Sequence, residues 1–208
     1  METIFIIVIL ILSVIIHEVA HGAMANYMGD PTAKYAGRLT LNPIKHIDPI
    51  GSVVIPLLLV LFQSGVIFGW AKPVPINPYN FKDQKYGSAK VSAAGPFSNF
   101  SLALVFGLSM RFLPLSPNLL FIFGIIVYIN LVLGIFNLIP IPPLDGSHIL
   151  FTFLPFSMEH VKIFLSQYGL FILLFLIFFL LGPIFSFIAF IFELISGISF
   201  SQIIYLLG

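Results

Sequence analysis

The chain has 208 residues, of which 59% are hydrophobic and 8% charged, and its net charge is +1. Soluble domains carry about 25% charged residues, so this composition excludes an ordinary water-soluble fold and indicates an integral membrane protein. The small net charge gives no reason to expect nucleic acid as a partner. The absence of cysteine excludes disulfides, thiolate metal sites and a cysteine nucleophile.

Five segments are apolar and long enough to cross a bilayer, which takes about 20 residues. They lie near 3–28, 89–112, 118–139, 162–181 and 183–207. Gly182-Pro183 separates the last two and suits a tight turn, which predicts a carboxyl-terminal helical hairpin over 162–207. A cleavable signal peptide fits poorly, because the amino end carries Glu2 and no basic cluster. A shorter apolar stretch near 50–68 holds Pro56, Gln63 and Gly65, and the flanking stretches 29–49 and 69–88 are polar and rich in Gly and Pro. Lys34 to Leu41 has the mixed character of a short strand or hairpin. The expected fold is all-α and multi-pass: about five transmembrane helices, a re-entrant or interfacial segment and a short β-hairpin, in one membrane-embedded domain over 1–208.

Seven of the nine basic residues (Lys34, Arg38, Lys45, Lys72, Lys82, Lys85 and Lys90) fall between the first and second long segments. By the positive-inside tendency the stretch 29–90 is cytoplasmic. Both of its ends then lie on one side, so 50–68 makes no net crossing and either dips and returns or lies along the interface. Five crossings place the amino terminus outside and the carboxyl terminus in the cytoplasm.

The residues that carry chemistry begin with His17-Glu18-Val19-Ala20-His21 inside the first apolar run. Two histidines four apart on a helix share one face and can grip one zinc ion, and the glutamate beside the first can activate water. Three ionisable groups at membrane depth are costly and mark function by default. Catalytic zinc usually takes three protein ligands and keeps a position open. Without cysteine, the third comes from Asp30, His46, Asp48, Asp83, Asp145, His148, Glu159, His160 or Glu193. Asp145 stands out, since it closes Asn137-Leu138-Ile139-Pro140-Ile141-Pro142-Pro143-Leu144-Asp145-Gly146, where three prolines end a helix and hold extended backbone. Such backbone near a membrane is tolerated where it is buried in protein or lines a wet cavity. From Thr3 to His17 a helix rises roughly 21 Å, about two-thirds of the way through a core of about 30 Å. The segment 118–139 runs the same way and delivers Asp145 to that depth. His46 and Asp48 compete as ligands, although a turn at Asp48-Pro49 explains them more simply.

These residues resemble the site-2 proteases, zinc intramembrane metalloproteases of the M50 type. The shared features are His17 to His21, the Asn137 to Gly146 run, and Ala94-Gly95-Pro96-Phe97-Ser98-Asn99. Asn42 to Gly51 and Gly69 to Pro75 look like a small bacterial or archaeal branch without PDZ or CBS domain. The resemblance covers about 5–150 and implies one Zn2+ per chain held by His17, His21 and Asp145. It implies Glu18 as general base and acid, and Asn137 as a substrate or oxyanion contact. Asn99 and His148 are candidates for contacts behind the ligands or with substrate, and Gly95-Pro96 reads as a kink or a close-packing point.

The activity this implies is zinc-dependent cleavage of transmembrane segments of membrane-protein substrates, with the active site toward the cytoplasmic side of the cell membrane. The partners are then a transmembrane helix and the lipid bilayer. The competing classes are a membrane metal transporter or sensor and an inactive scaffold that binds helices.

Overall fold

The computed structural model describes residues 2–55, 58, 61–62 and 71–205. Among the described residues, four helices are long and apolar enough to cross a membrane. They are α1 (Glu2–Tyr27), α3 (Gly87–Phe112), α4 (Pro117–Asn137) and α6 (Glu159–Ser196). Between and after them lie a single helical turn α2 (Thr32–Tyr35), the short helix α5 (Asp145–Phe153) and the terminal α7 (Phe200–Tyr205). Each long helix is apolar nearly all round, as burial within a bundle and lipid together require. The large apolar side chains left exposed, such as Phe171, Phe175, Phe178 and Phe179 on α6, face outward from the bundle.

The described residues contain helix and irregular backbone but no strand, which corrects the expected hairpin over Lys34–Leu41. Thr32–Tyr35 turns helically because Asp30 accepts from the backbone N–H of Thr32 and Tyr35 N–H closes on the carbonyl of Pro31. Local side-chain capping of this kind gives the backbone an alternative to a ladder.

The expected break at Gly182-Pro183 is also corrected: α6 runs through both residues as one 38-residue helix. Its ends explain why. Gly169 packs on Pro142, beside the Asp145 loop, while Leu194 accepts a hydrogen bond from Arg111 at the far end of α3. Gly182-Pro183 thus falls midway along the bundle. A chain reversal there would strand several backbone groups in hydrocarbon, whereas an intrahelical proline frees only one carbonyl. At about 1.5 Å per residue α6 is roughly 57 Å long, well beyond a core of about 30 Å.

This changes the topology. Gly107 lies against Ile195 and Gly124 against Ile203, so the end of α6 and α7 sit at the end of the bundle that holds the α3–α4 turn. Residues 196–205 thus lie at the end of the bundle that holds the start of α1, whereas five crossings would put the two termini at opposite ends. A buried cluster of Ala103, Met110, Val127, Leu131, Ile188, Phe192 and Ile203 glues α3, α4, α6 and α7 there.

At the other end a polar collar closes the bundle. Residues 56–57, 59–60 and 63–70, where most of the expected dipping segment falls, lie outside the described residues. Its two ends do not. Lys72 N–H donates to the carbonyl of His46 at 2.9 Å, so the excursion 47–71 leaves from and returns to one point. Buried Arg38 clamps that point, donating to the carbonyls of Lys45, Lys72 and Pro73. Asp30, fully buried, ties the end of α1 to the segment before α3 by accepting from Asn77 N–H at 2.7 Å and Asn80 Nδ2 at 2.8 Å.

Two measurements follow. Impermeant thiol labelling of Ser116→Cys and Ser201→Cys in this cysteine-free chain should occur from one face, and Lys82→Cys from the other. Labelling of Ser201→Cys together with Lys82→Cys would restore the five-crossing topology. The second concerns Asp30. Burial pushes its carboxyl up, but hydrogen bonds from Thr32, Asn77 and Asn80 outweigh this and hold it below the ordinary value. A depressed carboxyl stabilises fully above the unfolded pKa of about 3.9 and loses that contribution as pH falls through the folded value. The difference in melting temperature between wild type and Asp30→Asn should therefore shrink as pH is lowered below about 4. A difference that is constant with pH would contradict this.

Candidate metal centre

Each ligand position follows from local chain chemistry. The helical repeat puts His17 and His21 one above the other on the face of α1 turned toward α3. Asp145 arrives from α4 through a tight proline turn. Leu138 N–H bonds back to the carbonyls of Gly134 and Ile135, Ile139 N–H to Phe136, and Ile141 N–H to Ile139. The chain then re-enters a helix at Asp145 itself. Gly146 permits this reversal, since a Cβ there would stand 2.5 Å from the carbonyl carbon of Leu138.

The three side chains converge. His17 Nε2 lies 3.0 Å from His21 Nε2, His17 Nε2 lies 3.1 Å from Asp145 Oδ2, and His21 Nε2 lies 3.2 Å from the same oxygen. The outer nitrogens of the rings are already committed. His21 Nδ1 is 2.7 Å from the carbonyl of Val91, and His17 Nδ1 is 2.6 Å from Asn99 Oδ1. Both partners accept, so both Nδ1 atoms donate, and in the neutral rings both lone pairs sit on Nε2. Two nitrogen lone pairs and a carboxylate oxygen thus face one another within 3.2 Å inside the bundle, an arrangement that calls for a cation.

Zinc fits it. Ligand bonds of about 2.0–2.1 Å at tetrahedral angles separate donor atoms by roughly 3.3–3.4 Å, only slightly more than observed here. The cradle has the matching shape. A Cβ built on Gly95 would stand 2.5 Å from His17 Nε2, in the space the ion needs, so the bare backbone of α3 is what leaves room for it. The Asp145 side chain keeps 19% exposure against 7% and 8% for the histidines, so the triangle is least covered on its carboxylate side.

Glu18 points elsewhere on α1, as adjacent helical residues must. Its Oε2 accepts the backbone N–H of Val74 at 2.9 Å, in the extended stretch that follows the Arg38 clamp. That bond holds the carboxylate in place from the collar side. Of the remaining expected residues, Asn99 is brought directly behind His17. Asn137, at the end of α4, donates through Nδ2 to the carbonyl of Leu133, one turn back. His148 is exposed on α5, and its carbonyl accepts from Thr152. His46 lies in the collar, with Nε2 2.8 Å from the Thr40 carbonyl, and Asp48 caps the turn at Ile50 and Gly51, so neither joins the triangle.

Sequence reasoning missed four contributors. Gly95 reads in the sequence only as a bend or a packing point. Val74 and Arg38 act through backbone contacts that leave no pattern in the residues. Asn130, behind Asn99, did carry a signal: an amide in an otherwise apolar helix is expensive unless it is used.

A bundle of long apolar helices with an H-E-x-x-H helix and a carboxylate as third donor at zinc spacing is the arrangement of a zinc metallopeptidase. The comparisons with known proteins agree. The model of peptidase family M50 matches residues 113–180. The chain is 40% identical over 188 residues to "Putative zinc metalloprotease YwhC" of Bacillus subtilis, covering 86% of this chain and 82% of that one. It is 29% identical over 193 residues to "Putative zinc metalloprotease Rip2" of Mycobacterium tuberculosis, covering 91% and 73%. It is 38% identical over 97 residues to a similarly named protein, MJ0611, of Methanocaldococcus jannaschii, covering 45% and 50%. No solved structure matches the chain significantly. The chain belongs to peptidase family M50 and is a zinc metalloprotease.

Because Gly95 has no side chain to spare, Gly95→Ala should leave the purified protein folded but lower its bound zinc well below one per chain, as measured by elemental analysis. Full zinc occupancy in a folded Gly95→Ala protein would show that the ion sits elsewhere.

Proposed function

We propose that this chain is an intramembrane endopeptidase that cuts transmembrane segments of other membrane proteins, with His17, His21 and Asp145 as zinc ligands and Glu18 as the proton carrier. The observation that carries the reading is the donor triangle itself, built from the long apolar helix α1 and from Asp145, the first residue of the short helix that follows the long apolar α4. A peptidase centre at this position is reached most directly by a substrate already in the bilayer. The basic residues between 34 and 90 favour the cytoplasmic side for this end of the bundle by the positive-inside tendency.

Bound zinc supplies a Lewis acid that polarises the scissile carbonyl and makes water acidic near neutral pH. The chain's own groups do the rest. Glu18 Oε2 is tethered to Val74 N–H, which leaves Oε1 to take a proton from the attacking water. The water oxygen bonds to the carbonyl carbon, the peptide C–N bond breaks, and Glu18 hands the proton to the departing nitrogen. The two rings are held by Asn99 and Val91, so little reorganisation of them is needed as charge develops.

A helical substrate hides its carbonyls in intrahelical bonds and must unwind locally. A groove between α1 and α3, lined by Ile16, Ala20, Ala23, Ala94, Phe97 and Ser98, borders the site and is apolar enough to receive such a helix. Small side chains on both walls permit the close backbone approach by which helices associate in lipid.

The deciding experiment pairs zinc content with turnover of one tagged single-pass substrate. Glu18→Gln should keep its zinc and still bind substrate, while cleavage falls by about 100- to 10,000-fold, the usual worth of general acid–base catalysis. Near-normal turnover in a zinc-loaded Glu18→Gln protein would remove Glu18 from the mechanism. Absence of cleavage of any single-pass substrate by zinc-loaded wild type would remove the intramembrane reading.

A further inference from the structure

Asn130 is fully buried in the middle of α4, among apolar residues, and the mechanism above makes no use of it. Its contacts run in one direction. Nδ2 donates to the carbonyl of Ile126 at 2.8 Å and to Ser13 Oγ at 3.0 Å, while Oδ1 accepts from Asn99 Nδ2 at 2.8 Å. Asn99, also fully buried, then offers Oδ1 to His17 Nδ1 at 2.6 Å.

The order of these atoms is forced. A backbone carbonyl only accepts, so Ile126 requires the nitrogen of the Asn130 amide on its side and turns Oδ1 toward Asn99. That oxygen also only accepts, so Asn99 must present Nδ2 to it and Oδ1 to His17. An oxygen facing Nδ1 requires Nδ1 to carry the proton, which leaves the His17 lone pair on Nε2, facing Asp145 and His21. Without Asn130 the Asn99 amide could turn over and present N–H to the ring, placing the proton on Nε2 where the ion must bind. His21 needs no such relay, because Val91 supplies a carbonyl directly.

We propose that Asn130 is a positioning residue for the metal centre: through Asn99 it transmits the polarity of the Ile126 carbonyl to His17 and fixes the ring form that can bind zinc. This rests on zinc being held by His17, His21 and Asp145. It makes α4 a contributor at both ends of the ligand set, since the same helix leads into Asp145.

The test is zinc affinity, measured by competition with a chelator on detergent-purified protein, with melting temperature recorded in parallel. Asn130→Leu removes the relay. Asn130→Ser does so with less risk to the fold, since serine can bond back to the Ile126 carbonyl as Ser101 does to Phe97 but cannot reach Asn99. Each should weaken zinc binding by about tenfold, within the range for partners that orient ligating histidines. Asn99→Asp should repair the loss in the Asn130→Ser background, because a carboxylate accepts through either oxygen and needs no polarity set from behind. A role in packing alone predicts no such repair. Wild-type zinc affinity in Asn130→Ser, or a loss that Asn99→Asp does not repair, would overturn the proposal. Asp145→Ala serves as the control on the ligand set: if it retains zinc, the site assignment itself fails, whereas loss of zinc there with unchanged Asn130→Ser rejects the relay alone.

Discussion

Two imidazole nitrogens and a carboxylate oxygen, held within 3.2 Å of one another in a nearly water-free bundle, are the constraint on which the rest of the molecule depends. Such atoms repel unless a cation lies among them, and the bilayer offers no water to dilute the repulsion. The protein therefore has to hold the three in place before the ion arrives. It does so by committing every other polar atom of the histidines: Val91 and Asn99 take the Nδ1 protons, and Asn130 and Ser13 stand behind Asn99. The hydrogen bonds are short, buried and drawn from three different helices, which makes the site a clamp on the bundle as well as a product of it.

The collar extends the same logic outside the hydrocarbon. Asp30 and Arg38 are buried charges whose hydrogen bonds run mostly to amides and carbonyls, so each orders a stretch of backbone that has no ladder of its own. The stretch they order includes Val74, whose N–H reaches Glu18. A path of contacts thus joins the point where the 47–71 excursion closes to the Glu18 carboxylate. The collar and the metal centre are mechanically one unit, with α1 as its common element.

The chemistry was far more legible in the sequence than the architecture. His17, Glu18 and His21 declare themselves because helical spacing is fixed and ionisable groups are rare at membrane depth. Asp145 follows because three prolines leave little choice about where the chain can go. Asn99 could be named but not placed, since nothing local says which histidine it would meet. Asn137 and His148 carry polar groups in the right stretch, yet one bonds back along its own helix and the other faces outward. Gly182-Pro183 misled for a physical reason: the pair breaks helices in water, where freed backbone groups find solvent, but in hydrocarbon continuing the helix costs less than turning. The strand expected over Lys34–Leu41 failed differently, because Asp30 captured the Thr32 backbone before any pairing partner could.

The central claim is that one zinc is held by two imidazoles and one carboxylate, the imidazoles positioned by partners that fix their orientation. X-ray absorption at the zinc edge, on wild-type protein loaded with one equivalent of metal, reads this set directly. The scattering should show two imidazole rings with the remaining positions filled by oxygen, and Asp145→His should convert the pattern to three rings. Three imidazoles in the wild type, which would bring in His46 or His148, or a shell of oxygen alone, would contradict the account.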